Sequence, residues 1–499
     1  MGPGKRLGEL LVALEGASRV PDLDLLIRGI AYDSRRVRPG YLFVCIQGFR
    51  EDGHRYAQDA VARGAVCLVA EKRVEVPPTV PVIRVGNARR ALALLANEFY
   101  DRPSTQLTLI GVTGTQGKTT TVYLIESILR EAGYPVGLIG TIVTRVGARE
   151  WKSTYTTPES LDLQESLRAC LSAGLTHVVM EVSSHGLALE RVAGCVFDVG
   201  VFTNLSSDHL DLHRTLERYL AAKATLFASL GTGKDRCAII NVDDRHSSLI
   251  QRAAACRRLT YGIQNPGDIM AREVRAGLRR LEFTLEAFRE THRVRMSLTG
   301  EVNVYNALAA AGACFGLGLD RATIVRGLER VEGVPGRFEL VEAGQGYLVI
   351  IDFAHTERAV EQLLQTVRGL VRGRVITVFG CAGDRDQTKR PRIGELVARL
   401  SDYSIITADN PASEDPREIA LQVDRGAREI DSAGQRHAIV LDRAEAITRA
   451  IATAKPGDAV IIAGKGHEEY QIMKDGFVPW SDRGEVLRAI AARGTSGRP

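Results

Sequence analysis

The sequence predicts an α/β protein of three domains: an N-terminal α/β domain, a central parallel-sheet domain with a phosphate loop, and a C-terminal Rossmann-like α/β domain. Three observations carry this reading. Near-continuous apolar runs alternate with segments of helical periodicity, the pattern of strands covered on both faces of a parallel sheet. The length of 499 residues exceeds what one core organises, and typical domain sizes give about three units. Two breaks, Arg102-Pro-Ser-Thr105 and Gly333-Val-Pro-Gly336, interrupt the alternation with residues that end elements. They set the expected domains at 1–105, 106–336 and 337–499.

In the first segment, Gly40-Tyr-Leu-Phe-Val-Cys-Ile46 and Ala65-Val-Cys-Leu-Val-Ala70 are strand-like runs with helical patterns between them. The second opens with Leu107-Thr-Leu-Ile110, a glycine-rich turn and an amphipathic helix through Val122, Leu124, Ile125, Ile128 and Leu129. Buried-type strands follow at Val178-Val-Met-Glu-Val182, Val199-Gly-Val-Phe202 and Ala238-Ile-Ile-Asn-Val242. The alternation restarts in the third segment at Leu348-Val-Ile-Ile351, Val375-Ile-Thr-Val-Phe379, Ser404-Ile-Ile406, Ala438-Ile-Val-Leu441 and Ala459-Val-Ile-Ile-Ala463, as in a doubly wound sheet.

Composition narrows the class. Hydrophobic residues make up 45% of the chain and charged residues 25%, ordinary values for a soluble globular protein. The net charge of +5 is the difference between 65 basic and 60 acidic residues scattered along the chain, so nucleic-acid binding is not indicated. No apolar run reaches spanning length, and the N-terminus lacks a signal-peptide apolar region, so membrane insertion is not expected. Eight cysteines include no Cys-x-x-Cys pair, and several lie in apolar runs. Buried free thiols in a reducing compartment are the expectation, with a cytoplasmic location; the chain does not give the oligomeric state.

The strongest motif is Gly111-Val-Thr-Gly-Thr-Gln-Gly-Lys-Thr-Thr120, which follows a predicted strand and opens a predicted helix. In that context glycines let backbone N–H groups converge on phosphate oxygens, and the helix N-terminus favours an anion. Lys118 can neutralise β- and γ-phosphate charge, and the Thr119 hydroxyl can ligate Mg²⁺. The spacing departs from the strict Walker pattern at Val112, where that pattern has glycine.

Glu181 ends an apolar strand and precedes Ser183-Ser-His-Gly186. At the C-terminal edge of a parallel sheet it can hold a hard cation, or serve as a structural ion-pair partner. Asn204-Leu-Ser-Ser-Asp-His-Leu-Asp-Leu-His213 follows another buried strand, which would bring Asp208 and His209 over the same edge. His213, four residues on, would share a helical face with His209, which leaves a metal site open; a helix cap by Ser206, Ser207 or Asp208 is the plainer reading of the residues other than His209. Lys223 lies in the small, apolar helix Tyr219-Leu-Ala-Ala-Lys-Ala-Thr-Leu-Phe227, where a lone lysine ordinarily snorkels to the surface.

Taken in order from about residue 30 to residue 471, these segments resemble the Mur ligase family. The phosphate loop is similar to the family's Gly-Thr-Asn-Gly-Lys-Thr-Thr, with Gln116 replacing the usual Asn. Glu181-Val-Ser-Ser-His-Gly-Leu187, Arg191 and Asp208-His-Leu-Asp-Leu-His213 resemble the branch that adds the third residue to UDP-N-acetylmuramoyl-L-alanyl-D-glutamate. The resemblance implies an ATP site of Gly114, Thr115, Gln116, Gly117, Lys118, Thr119 and Thr120, joined by Asn303 and Asn306. Arg337, Asp352 and His355 would complete it from the third domain. It implies Thr119 and Glu181 as ligands of the Mg²⁺ on ATP, His209 as ligand of a second Mg²⁺, and Lys223 as a carbamylated, metal-binding lysine. Catalysis would fall to Lys118, Lys223, His209 and His355.

Ser34 would hold the uridine end of the nucleotide substrate, with the loop 48–53 beside it. Thr156, Thr157, Ser184, Arg191 and Lys223 would hold the muramoyl-dipeptide. Four departures stand out: Gln116, Leu189 in place of a polar residue, Val302 in place of a usual Phe, and Thr356-Glu-Arg358 in place of Thr-Pro-Asp.

The third domain carries Gly380-Cys-Ala-Gly-Asp-Arg-Asp386, Asp409-Asn-Pro-Ala412 and Gly464-Lys-Gly-His-Glu468. The resemblance assigns the free diamino acid to Arg385, Asp409, Asn410, Pro411, Ala412, Gly464 and Glu468. Members that add meso-diaminopimelate have arginine where Ala412 stands, a bidentate donor for the distal carboxylate. Ala412 removes that donor and favours L-lysine, with meso-diaminopimelate as the alternative. Readings of a different class are a phosphate-loop NTPase acting as a regulator, and a paralogue that binds ligands without ligating.

Overall fold

The computed structural model describes residues 4–14, 22–48, 51–206, 208 and 210–496. Three sheets organise it, each with its own apolar clusters. The first has four parallel strands, Gly29–Ala31, Tyr41–Val44, Ala65–Ala70 and Val82–Arg84, in sequence order. Its apolar residues alternate between a cluster under the helix Ala88–Phe99 and one under the helix Ala57–Ala62.

The second sheet has eleven strands. At its centre Thr108–Thr113 lies between His177–Glu181 and Val199–Phe202, all parallel. The C-terminal ends of all three therefore open on one edge, where ligands bind in such sheets. The sheet is not parallel throughout, as the run pattern predicts, and the correction falls at both margins. Val143–Val146 and Arg149–Lys152 pair antiparallel across a two-residue turn in which Gly147 has φ +60°. Ile269–Gly277, Arg280–Ala287 and Glu290–Met296 form an antiparallel meander. Its second turn puts Phe288 and Arg289 at φ +51° and +66°. Two-residue turns leave no length for a crossover, so these strands can only pair antiparallel.

The third sheet places Leu348–Asp352, Ala459–Ala463, Val375–Phe379, Tyr403–Ile406 and His437–Ile439 side by side and parallel, with Glu339–Leu340 antiparallel at one edge. All eight cysteines are free, and all but Cys256 are buried. Among the described residues no helix is long and apolar enough to cross a membrane.

The helix Lys118–Glu131 carries the phosphate loop at its start and buries Val122, Leu124, Ile125, Ile128 and Leu129. Its far end is seated by Arg321–Glu329, where Gly327 passes so close that a Cβ there would lie 2.4 Å from the Ile128 Cα. Ser127 Oγ donates to the Gly327 carbonyl at 2.7 Å across the same contact. Gly327→Ala must push these helices apart, an overpacking cost of about 1–3 kcal/mol. The urea unfolding midpoint should fall accordingly, with nucleotide affinity falling as the loop loses its support.

Candidate active site

The phosphate loop bends where only glycine fits. Gly117 caps the helix at φ +83°, and a Cβ there would lie 2.4 Å from Asn306 Oδ1; at Gly114 a Cβ would lie 1.8 Å from Thr203 Oγ1. The loop is fastened from the neighbouring strand. Thr203 Oγ1 donates to the Gln116 carbonyl at 2.6 Å, Asn204 Oδ1 accepts from Gln116 N at 3.0 Å, and Thr115 N donates to the Asn204 carbonyl. Lys118 Nζ curls back to the Gly114 and Thr115 carbonyls, each at 3.0 Å. Loss of water contact lowers its pKa, against the pull of Glu181. Thr120 is buried in the first turn.

Glu181 is 1% exposed at the end of its strand. Its carboxylate accepts from Thr141 N at 2.7 Å, Thr141 Oγ1 at 2.9 Å and Thr119 Oγ1 at 3.1 Å. A buried carboxylate beside the first hydroxyl of the helix supplies the oxygen donors a hard cation takes. The residues therefore fit the Mg²⁺ that the phosphate loop implies.

Lys223 is 1% exposed, which overturns the snorkelling reading. The helix Leu216–Ser229 turns it inward, where Nζ donates to the Gly114 carbonyl at 2.8 Å and lies 4.3 Å from the centre of the Tyr219 ring. Burial, with Lys118 adding repulsion, lowers its pKa well below the ordinary lysine range. A lysine held neutral is a nucleophile. His209 lies outside the described residues, as do two positions of the loop 48–53. His213 is buried with its ring 5.0 Å from that of Tyr219.

The segment leading into the third sheet reaches the loop through Arg337. Its Nη2 donates to Thr119 Oγ1 at 3.1 Å, and its guanidinium lies 4.7 Å from the centre of the Phe353 ring. Gln116 Nε2 donates to Thr356 Oγ1 at 3.4 Å in a second crossing contact. Asp352 accepts from Phe338 N at 2.6 Å and Ala354 N at 2.7 Å, so it shapes the turn that presents Arg337. Burial raises the Asp352 carboxyl, and Arg337 opposes the shift. His355 Nδ1 is 2.8 Å from the Phe353 carbonyl; that nitrogen donates, which leaves Nε2 of the neutral ring as an acceptor. Asn303 and Asn306 form one buried pair, Asn306 Nδ2 donating to Asn303 Oδ1 at 2.8 Å.

Other expected residues are placed less directly. Thr157 is fully buried and donates to the Glu181 carbonyl at 2.9 Å, while Thr156 Oγ1 lies 3.1 Å from Thr141 Oγ1. Arg191 is tied to Glu159 and the Thr157 carbonyl, so it braces the segment carrying Thr156 and Thr157. Ser184 is buried at the start of the short helix Ser184–Ala188 after the Glu181 strand, and Ser34 opens a short helix near the first sheet.

Asp409, Asn410, Pro411 and Ala412 follow the strand Tyr403–Ile406, and Gly464 and Glu468 follow Ala459–Ala463. Asn410 Nδ2 donates to Glu468 Oε2 at 2.9 Å. Arg385 is exposed on a neighbouring loop. Ala412 sits at φ +52° with its N–H bonded to the Ile472 carbonyl. Sequence reasoning missed Thr141, Arg443 and Lys465. Thr141 and Arg443 carried no motif, and Lys465 was passed over inside one.

The relatives agree with this layout. The Mur ligase family catalytic domain matches residues 26–100, the Mur ligase middle domain 112–314, and the Mur ligase glutamate ligase domain 336–466. The chain belongs to the Mur ligase family. It is 44% identical over 486 residues, 97% of this chain and 99% of the relative, to a UDP-N-acetylmuramoyl-L-alanyl-D-glutamate–2,6-diaminopimelate ligase of Syntrophomonas wolfei. The ligase of that name from Geobacillus thermodenitrificans is 46% identical over 471 residues, 94% and 95% of the two chains. A solved structure of a ligase of that name superposes with a TM-score of 0.68 at 32% identity, over 98% of this chain and 99% of the other. A Thermotoga maritima MurF ligase in complex with ADP shares the fold, with a TM-score of 0.65 at 21% identity over 95% and 100% of the chains. The preference for lysine read from Ala412 is not supported by these relatives, which carry the diaminopimelate name.

Burial pushes the His467 imidazole from 6.5 down to about 3, with Arg337 and Lys465 adding to the shift. Below its ordinary value the unfolded chain takes a proton that the folded ring refuses. Stability from this ring is therefore whole above 6.5 and is lost as pH falls toward about 3. His467→Gln should flatten the decline in urea midpoint between about pH 7 and about pH 4.5.

Proposed function

We propose that this chain is an ATP-dependent amide-bond ligase that joins meso-diaminopimelate to the γ-carboxylate of D-glutamate in UDP-N-acetylmuramoyl-L-alanyl-D-glutamate. In this reading residues 1–105 bind the nucleotide end of the acceptor, 106–336 bind ATP, and 337–499 bind the amino acid, in the cytoplasm. The observation that carries it is the contact of Arg337 with Thr119, which brings the segment leading into the third sheet onto a phosphate loop. Whole-chain similarity to relatives named for this reaction supports the substrate and favours diaminopimelate over lysine.

The chemistry follows from positions. The carboxylate of the acceptor attacks the γ-phosphate of ATP, forming an acyl phosphate and releasing ADP. Lys118, Arg337 and the loop N–H groups neutralise the charge that develops there. Mg²⁺ held by Thr119 and Glu181 would supply further neutralisation at the phosphates. His209, with Lys223 as its carbamate, would serve a second ion. Neutrality of the Lys223 amine is what reaction with carbon dioxide requires. The incoming amine must lose a proton to attack the acyl carbon, and Nε2 of His355 is an acceptor at this edge. Phosphate then leaves. Asp409 and Glu468 face the amino acid's cationic end, and Arg385 its α-carboxylate. The two crossing contacts close the site against water, which would hydrolyse the acyl phosphate.

Phosphate release should be measured with the nucleotide dipeptide and ATP plus meso-diaminopimelate, L-lysine or L-ornithine in turn. Diaminopimelate should stimulate it most; stimulation by lysine alone would return the specificity to Ala412, and none by any amino acid would leave a regulator or a non-ligating paralogue. Lys223→Ala should lose nearly all activity and recover part of it on addition of short carboxylates, which can stand in for the carbamate. Failure of acetate or formate to restore turnover in a folded variant would remove the carbamate from the mechanism.

A further inference from the structure

The turn Asp409-Asn-Pro-Ala412 and the loop Gly464-Lys-Gly-His-Glu468 meet around one ammonium. The Lys465 side chain is wholly buried. Its Nζ lies 2.9 Å from Asn410 Oδ1, 2.9 Å from Glu468 Oε2 and 3.8 Å from Asp409 Oδ1. The Glu468 oxygen it reaches is the one that accepts from Asn410 Nδ2 at 2.9 Å. Close approach of the loop is built in, because a Cβ on Gly464 would lie 2.6 Å from Asp409 Oδ2.

The other buried cation here, Arg443, is neutralised by Asp482, with Nε and Nη2 each 2.8 Å from a carboxylate oxygen. Lys465 is the cation nearest both Asp409 and Glu468, while Arg443, paired with Asp482, acts on them from farther off. Two carboxylates and one ammonium leave a single negative charge facing the incoming amino acid. An ammonium has three donors, and hydrogen bonds to Asn410 and Glu468 occupy two of them. At the turn itself Ala412 brings no donor for a distal carboxylate.

We propose that Lys465 is a positioning and specificity-determining residue for the incoming diamino acid, an assignment that rests on the diaminopimelate reading above. It aligns Asn410 with Glu468 and halves the charge of the Asp409–Glu468 pair. A side chain ending in both an ammonium and a carboxylate is then tolerated, where two unbalanced carboxylates would repel the distal carboxylate and favour an ammonium alone.

The test compares the full-length wild type with Lys465→Met and Lys465→Gln, the second keeping a donor without the charge. kcat/KM is measured for meso-diaminopimelate and for L-lysine, with KM for ATP and for the nucleotide dipeptide alongside. Loss of a buried charge interaction should lower the diaminopimelate-to-lysine ratio by about tenfold or more in both variants. The change should appear in the amino-acid KM, with the other two KM values within about twofold. Lys465→Arg should keep most of the wild-type ratio. An unchanged ratio in Lys465→Gln, or a parallel rise of all three KM values, overturns the assignment. A wild type that prefers lysine overturns the diaminopimelate reading instead, and the direction in which the ratio moves still decides the role of Lys465.

Discussion

The carboxylate of Glu181 is the constraint around which the central site is arranged. It is buried at the end of a parallel strand, and a charge removed from water must be met by donors or become costly. Its donors come from separate places: Thr141 after a neighbouring strand, and Thr119 in the first turn of the phosphate-loop helix. Thr119 in turn accepts from Arg337, which stands just before the edge strand Glu339–Leu340 of the third sheet. One buried acid therefore ties two strand ends, the loop and a remote segment into a single polar network. The same arrangement of oxygens suits a divalent cation, so what satisfies the carboxylate in the protein also prepares the nucleotide site.

Around this network the protein trades solvation for reactivity. Lys118, Lys223, Arg337 and Asp352 all have their charged forms disfavoured by burial. Lys118, Lys223 and Arg337 border the phosphate loop, where an anion would bring compensating charge, whereas Asp352 is an acid that Arg337 itself compensates. The third sheet shows the opposite economy: Lys465 and Arg443 are buried cations already matched by acids. That cluster is charge-matched within the protein itself.

Much of the architecture was legible in the chain. Strands such as Val375–Phe379 and Ala459–Ala463 fall where apolar runs predict them, because a strand covered on both faces has to be apolar almost throughout. The meander through Arg280–Ala287 was not read, although its residues alternate apolar with polar. The turns that make it antiparallel place Arg279, Phe288 and Arg289 at positive φ without the glycine or asparagine that usually signals them.

The sequence by itself determined the phosphate loop, since Gly-Lys-Thr-Thr between a strand and a helix is a local pattern with a local physical reason. It also determined the family, through motifs spread along the whole chain. Only the tertiary structure decided the state of the lysines. Lys223 and Lys465 look like ordinary surface cations in sequence, and burial with its partners is a property of neighbours more than fifty positions away. The relatives favour diaminopimelate over the lysine read from Ala412. That reading considered one turn, whereas the Lys465 ammonium, 2.9 Å from Asn410 Oδ1, comes from a loop that only folding brings to it.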